Sequence, residues 1–247
     1  MNSLLAKRWL KIPVFLLCLV PLGLLGWRGL HGQLTANPIE FVTRATGDWT
    51  LRFLLITLAV TPLRRLLALS NLIRYRRMLG LYAFFYASLH FTTYIWLDKF
   101  FDLAEMWKDV AIRKFITAGF ASFLLLIPLA ATSTTGWIRR LGGRRWQFLH
   151  RLVYVSAAAG VVHYYWLVKS DVREPLLYAG ILAVLLGARV PLWLARGKSR
   201  SAEVPLTAET GPQERVSEAA EGDQNNVESP THEGRQQAAD DENGHRR

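Results

Sequence analysis

The stretch RRWQFLHRLVYVSAAAGVVHYYWLVKSD, residues 144–171, decides how the chain is read. Two arginines are followed by an apolar run long enough to cross a bilayer. Aromatic residues crowd its far end, and a lysine and an aspartate close it. A span needs roughly 20 mostly apolar residues, which this run supplies from about 146 to 168. Inside it lie two histidines, His150 and His163. Ionisable side chains are costly in hydrocarbon and usually mark function, so each is a candidate ligand or relay group.

Comparable runs recur on either side, at about 12–30, 48–66, 77–97, 115–135 and 175–195. The reading is an all-α integral membrane protein, a six-transmembrane-helix bundle over residues 1–197, followed by a disordered polar cytoplasmic tail over 198–247. The tail is rich in Glu, Gln, Ser, Asn, Gly and Arg and has no apolar periodicity. It buries too little apolar surface to offset the entropy of ordering. The second run is the least clean, interrupted by Arg52 and Pro62. The first has basic residues ahead of it like a signal peptide, but its length and the lack of a small-x-small ending favour a retained helix.

A formal charge of +11 suggests nucleic acid until its distribution is considered. The basic clusters Lys7/Arg8/Lys11, Arg64/Arg65/Arg74/Arg76/Arg77, Arg139/Arg140/Arg144/Arg145 and Arg196/Lys198 fall at every second boundary between runs. That alternation is the positive-inside pattern and places both termini in the cytoplasm. The acids Glu40, Asp48, Asp98, Asp102, Glu105, Asp109, Asp171 and Glu174 all fall at the opposite boundaries. Cys18 is the only cysteine, so neither a disulfide framework nor a cysteine-ligated metal centre is available.

The topology serves as a ruler. His90 in the third run lies about 12 Å below the outer end, and His163 in the fifth about 9 Å below it, at 1.5 Å per helical residue. The two rings can meet at similar depth and supply both axial ligands to one haem. On an ideal continuous helix His150 lies about 20 Å from His163 and is rotated roughly 140° from it. It therefore stands either as a possible ligand of a second site or as an interfacial polar residue. His31, His232 and His245 read as solvated.

Three stretches carry a resemblance: NPIEFVTRATGDWTLRFLLITLAVTPLRRL from Asn37, RRMLGLYAFFYASLHFTTYI from Arg76, and PLAATSTTGWIRRLGGRRWQFLHRLVYVSAAAGVVHYYWLVKSD from Pro128. Together they closely resemble the haem-binding membrane subunit of the bacterial periplasmic protein-methionine-sulfoxide reductase system, a branch of the ferric-reductase-like transmembrane family. The resemblance covers about residues 5 to 195. It implies haem b, FMN, electrons from membrane quinol, and delivery to a periplasmic molybdopterin-containing catalytic subunit, from a bacterial inner-membrane position. It also implies an electron-transfer subunit that does not itself reduce methionine sulfoxide. The family's histidines match His90, His150 and His163. The broader ferric-reductase pattern pairs two histidines on each of two helices, whereas the third run here has one, which favours a single outer site at His90 and His163.

Arg52, near the outer end of the second run, is the candidate cation for an outer haem propionate, its alternative being snorkelling to the headgroups. Arg151 and Arg189 lie in the inner half and are candidates for a flavin phosphate, an inner propionate or lipid phosphate. The run Thr132–Ser133–Thr134–Thr135–Gly136 suits either a flavin or quinone head group or a plain helix ending. The RRLGGRRW segment lacks the phosphate-cradling pattern after a strand and is no nucleotide motif. A stand-alone ferric reductase would need a cytoplasmic flavin and nicotinamide domain. A transporter or scaffold with proton-relaying histidines is the remaining alternative.

Overall fold

A computed structural model describes residues 10–189. The described residues form eight α-helices and no strand: α1 (Lys11–Leu30), α2 (Pro38–Leu66), α3 (Ile73–Thr93), α4 (Leu103–Ile112), α5 (Lys114–Ala131), α6 (Thr135–Leu149), α7 (Leu152–Leu167) and α8 (Arg173–Gly187). A π-helical turn, Tyr94–Asp98, continues α3. The tail over 198–247 and the end of the sixth apolar run lie outside the described residues. Two helices, α1 and α5, are long and apolar enough to cross a membrane by length and composition, and α7 is a shorter apolar helix.

The helix boundaries differ from the apolar runs for local reasons. Helix α2 begins at Pro38, well before residue 48, because Asn37 caps it: the Asn37 side chain accepts from Glu40 N at 3.2 Å and proline occupies the first turn. The run expected from 146 is split. Residues 146–149 finish α6, His150 and Arg151 form a turn, and α7 starts only at Leu152. Two short helices fill connections: α4, capped by Asp102 through Glu105 N at 2.9 Å, and α6, interrupted at Gly142, whose φ of +74° suits a residue without Cβ.

Two helix pairs dominate the packing, α2 with α3 and α5 with α7. In the first, Leu51, Leu54 and Leu58 line one face of α2 at helical spacing, against Tyr82, Ala83 and Tyr86 of α3. Tyr82 and Tyr86 also donate to the Phe15 and Cys18 carbonyls at 2.9 Å each, pinning α1. In the second pair, Ser122 Oγ donates to Ser156 O at 2.8 Å and Ser156 Oγ donates to Ser122 O at 3.0 Å. Fully buried Ala157 follows, and small residues of this kind let two helices approach closely enough for hydroxyls to bridge their backbones.

Candidate functional site

His90 on α3 and His163 on α7 face each other with ring centroids 6.1 Å apart and planes 72° apart. Each ring is fixed by the helix that precedes it in its pair. His90 Nδ1 donates to Thr43 O of α2 at 2.9 Å, and His163 Nδ1 donates to Phe115 O of α5 at 2.6 Å. A carbonyl only accepts, so the proton sits on Nδ1 and the Nε2 lone pair is left available, the tautomer a metal-bound imidazole requires.

Four residues beyond each carbonyl, one helical turn on, stands a glycine. A methyl group at Gly47 would meet His90 Nδ1 at 3.1 Å, and one at Gly119 would meet His163 Nδ1 at 2.7 Å. Each ring therefore lies flush against a helix backbone that any larger residue would push away. The same device, a carbonyl followed by a glycine at i+4, is built twice: Thr43/Gly47 for His90 and Phe115/Gly119 for His163.

Both histidines line a cavity of about 680 Å³ bounded by α2, α3, α5 and α7 and walled by apolar residues including Leu51, Leu54, Phe123 and Leu126. That size lies in the range of ordinary cofactor pockets. Two metal–imidazole bonds of about 2 Å in line, with each ring centre set behind its nitrogen, place paired ring centres roughly 6 Å apart. The 6.1 Å separation thus suits one metal between them. Among the described residues no group of three or more His, Cys, Asp or Glu side chains is placed to hold a bare ion. The residues present fit a metal that brings its own equatorial ligands inside a flat apolar ring, as haem does.

Arg52 is placed elsewhere. Its Nε donates to Tyr178 Oη at 2.9 Å, its guanidinium lies 4.9 Å from the Trp49 ring centre, and it is not among the residues lining the cavity. The cations that do line it are Arg44 and Arg113. The signal for them was present: they stand at boundaries where the acids gather and positive charge is scarce. Arg44 pairs with Glu40 at 2.7 Å and Arg113 with Asp109 at 3.1 Å.

Arg113 belongs to a network that braces the α3–α5 connection at that end. Buried Lys99 reaches Asp109 and Glu105, each at 2.8 Å. Hydrogen bonding to Asp109 and Glu105 holds the Lys99 ammonium above the usual lysine range, and the bond from Lys99 holds the Asp109 carboxyl below the usual carboxylate range.

His150 is not joined to this site. Its Nδ1 donates to Trp146 O, within its own turn, at 3.1 Å, and its ring stacks on Trp146 with centroids 3.8 Å apart. With the proton on Nδ1, Nε2 carries the lone pair, and it is buried without a hydrogen-bond partner. Because a turn separates His150 from α7, the spacing and rotation computed along one continuous helix do not apply. In the threonine-rich run, Thr132 Oγ1 and Ser133 Oγ each donate to a carbonyl of α5 at 2.6 Å, and Thr134 caps α6.

A helical bundle with inward-facing histidines on neighbouring helices is the arrangement of a membrane cytochrome, and the comparisons agree. Residues 46–161 match the family described as the ferric reductase like transmembrane component, a segment that includes His90 and His150 and ends just before His163. Curated relatives narrow this. The chain is 56% identical over 205 residues to the protein-methionine-sulfoxide reductase heme-binding subunit MsrQ of Herminiimonas arsenicoxydans, covering 82% of this chain and 94% of that protein. It is 52% identical over 189 residues to the protein of the same name from Rhodospirillum rubrum, covering 76% and 91%. With that from Caulobacter vibrioides it shares 50% over 177 residues, covering 72% and 84%. The chain belongs to this MsrQ family.

Proposed function

We propose that this chain is a haem-binding membrane subunit of a protein-methionine-sulfoxide reductase system. It holds haem b between His90 and His163 and passes electrons from membrane quinol to a periplasmic molybdopterin-containing catalytic subunit. The observation that carries this reading is the pair of imidazoles 6.1 Å apart, each with Nδ1 committed to a backbone carbonyl and Nε2 free. The names of the relatives support the haem and the reductase system. The charge pattern supports six spans in a bacterial inner membrane with both termini cytoplasmic, α1 and α5 being two of those spans.

When bound, haem supplies a one-electron iron couple whose potential is set by its axial ligands, their hydrogen bonds and burial. The chain's own residues do the rest. The Thr43 and Phe115 carbonyls raise the basicity of the two imidazoles and fix their planes. Gly47 and Gly119 give those rings room. The apolar wall keeps water from the centre, while Arg44 and Arg113 put positive charge in the lining, suited to propionate carboxylates. Arg52, tied to Tyr178, supports α2 from behind. FMN enters the proposal through the family resemblance alone, and His150 through that resemblance together with its place in an apolar run.

The test is the absorption and EPR spectrum of the chain purified after haem-replete expression. The expected result is a low-spin ferric haem with two imidazole ligands, one per chain at the outer site, reducible by added quinol. Absence of a Soret band would remove the reading and leave a non-redox scaffold or transporter.

A further inference from the structure

The two facing imidazoles are turned by helices that do not carry them. His90 belongs to α3 and His163 to α7, yet the contacts that fix the orientation of each ring come from α2 and α5. From α2, the Thr43 carbonyl takes the His90 Nδ1 proton at 2.9 Å, and Gly47 leaves the room that edge of the ring fills. Buried Thr46 braces the same carbonyl, sharing its hydroxyl proton between Val42 O at 2.9 Å and Thr43 O at 3.0 Å. From α5, the Phe115 carbonyl takes the His163 Nδ1 proton at 2.6 Å and Gly119 makes the room. The Phe115 side chain lies beside the His163 ring, with centroids 6.2 Å apart.

An imidazole joined to a metal through one nitrogen keeps one soft motion, rotation about the metal–nitrogen bond. Nδ1 lies off that axis, so a hydrogen bond from Nδ1 to a fixed carbonyl stops the rotation. Two such bonds, made to two different helices, leave the ring planes 72° apart. Ligation by itself does not choose this angle, because the bond along the axis is the same whether the planes are parallel or crossed.

The angle has an electronic consequence. Each ring donates π density to the iron d orbital that stands perpendicular to its plane. Parallel rings both donate to one orbital, which favours the electron hole of the ferric ion there. Crossed rings divide the donation between two orbitals, leaving them nearly equal in energy and the ferric form less favoured. We propose, resting on the haem-binding reading, that Thr43 with Gly47 and Phe115 with Gly119 are positioning pairs that hold the two ligand planes crossed. They thereby set the potential of the bound haem above that of the same ligands held parallel.

The test is low-temperature EPR with a redox titration, on the full chain purified with its haem. Absence of haem would remove the haem-binding reading; the crossed planes are judged on the shape of the low-spin ferric signal. Crossed planes give one isolated feature at large g, whereas parallel planes give a compact rhombic spectrum of three lines. Wild type is expected to show the first. Gly47→Ala, the milder of the two seat changes, is expected to keep two-imidazole absorption in the haem it retains. Its large-g feature should shift, and its midpoint potential should move in the same direction as g. A second variant, His163→Gly, is loaded with haem in the presence of imidazole or of 1-methylimidazole. Imidazole keeps an N–H for Phe115 O and is expected to restore the large-g feature. 1-Methylimidazole has no N–H and is expected to give a low-spin signal at a different g. A compact rhombic spectrum from wild type, a feature unmoved in Gly47→Ala, or identical signals with the two imidazoles would overturn the proposal.

Discussion

His163 and His150 stand thirteen positions apart in one stretch of sequence, and each gives its Nδ1 proton to a carbonyl, yet the two carbonyls differ in kind. The acceptor for His163 belongs to another helix, Phe115 of α5, whereas the acceptor for His150 is Trp146 of its own turn. A bond across helices ties the ring to the bundle and aims its far nitrogen into the space between helices. A bond within the turn fixes the ring only relative to its own backbone. His90 follows the first pattern through Thr43. An intramembrane histidine is thus distinguished by which backbone holds it.

The strongest way to break this comparison is to remove the rings. His90→Ala or His163→Ala is expected to eliminate the two-imidazole low-spin spectrum and lower the haem-to-protein ratio more than tenfold, as read by pyridine haemochrome assay. His150→Ala should leave that outer spectrum in place. Equal losses in all three variants would show that the kind of acceptor carries no information about the role.

A sharper probe leaves the rings and disturbs their seats. Gly119→Ala places a methyl 2.7 Å from His163 Nδ1, and Gly47→Ala places one 3.1 Å from His90 Nδ1. Altered support of a metal ligand typically costs 10–100-fold in affinity. Haem retention is expected to fall by that order in Gly119→Ala and by less in Gly47→Ala. The reverse ranking would mean the glycines do not seat the rings.

A third prediction concerns the ion-pair brace of Lys99, Asp109 and Arg113. Asp109→Asn should lower stability by roughly 1–3 kcal/mol, since it leaves Lys99 and Arg113 short of their acceptor. The Asp109 pKa is depressed in the fold, so its contribution is present above the unfolded value of about 3.9 and is lost as pH falls through the lower folded value. The Lys99 pKa is raised, so its contribution is present below about 10.4 and is lost as pH climbs through the higher folded value. A melt followed against pH should show a plateau between these limits in wild type and a flattened acid limb in Asp109→Asn, with the outer haem spectrum unchanged at neutral pH.

The smallest effect is expected at Arg52. Tyr178→Phe removes the hydroxyl that accepts from Arg52 Nε, at a cost of about 1 kcal/mol. Arg52→Gln should leave the haem midpoint potential near that of wild type. A large shift in Arg52→Gln, absent from Arg44→Gln and Arg113→Gln, would return the propionate role to Arg52.

Much of the architecture was legible because hydrocarbon imposes simple rules. Apolar length marks helices. Position along those helices was enough to pair His90 with His163, since rise per residue is nearly constant. Other features were hidden. The break at His150 and Arg151 lies inside an apolar run with no proline or glycine to announce it. The start of α2 at Pro38 was signalled by Asn37 and Glu40, a cap pattern that hydropathy passes over. Arg52 looked suitable by depth, but depth carries no azimuth, and its side chain turns toward Tyr178 while Arg44 and Arg113 reach the cavity.

By itself the sequence determined a helical membrane chain of the haem-binding family and the two histidines that meet between its helices. Those properties depend on composition and distance along one chain axis. The tertiary structure decided which carbonyl holds each ring, that Gly47 and Gly119 make room for them, and the angle at which the two ring planes cross. Each of these is set by the rotation of one helix about its axis relative to another, and that rotation is fixed by side-chain packing between segments far apart in the chain.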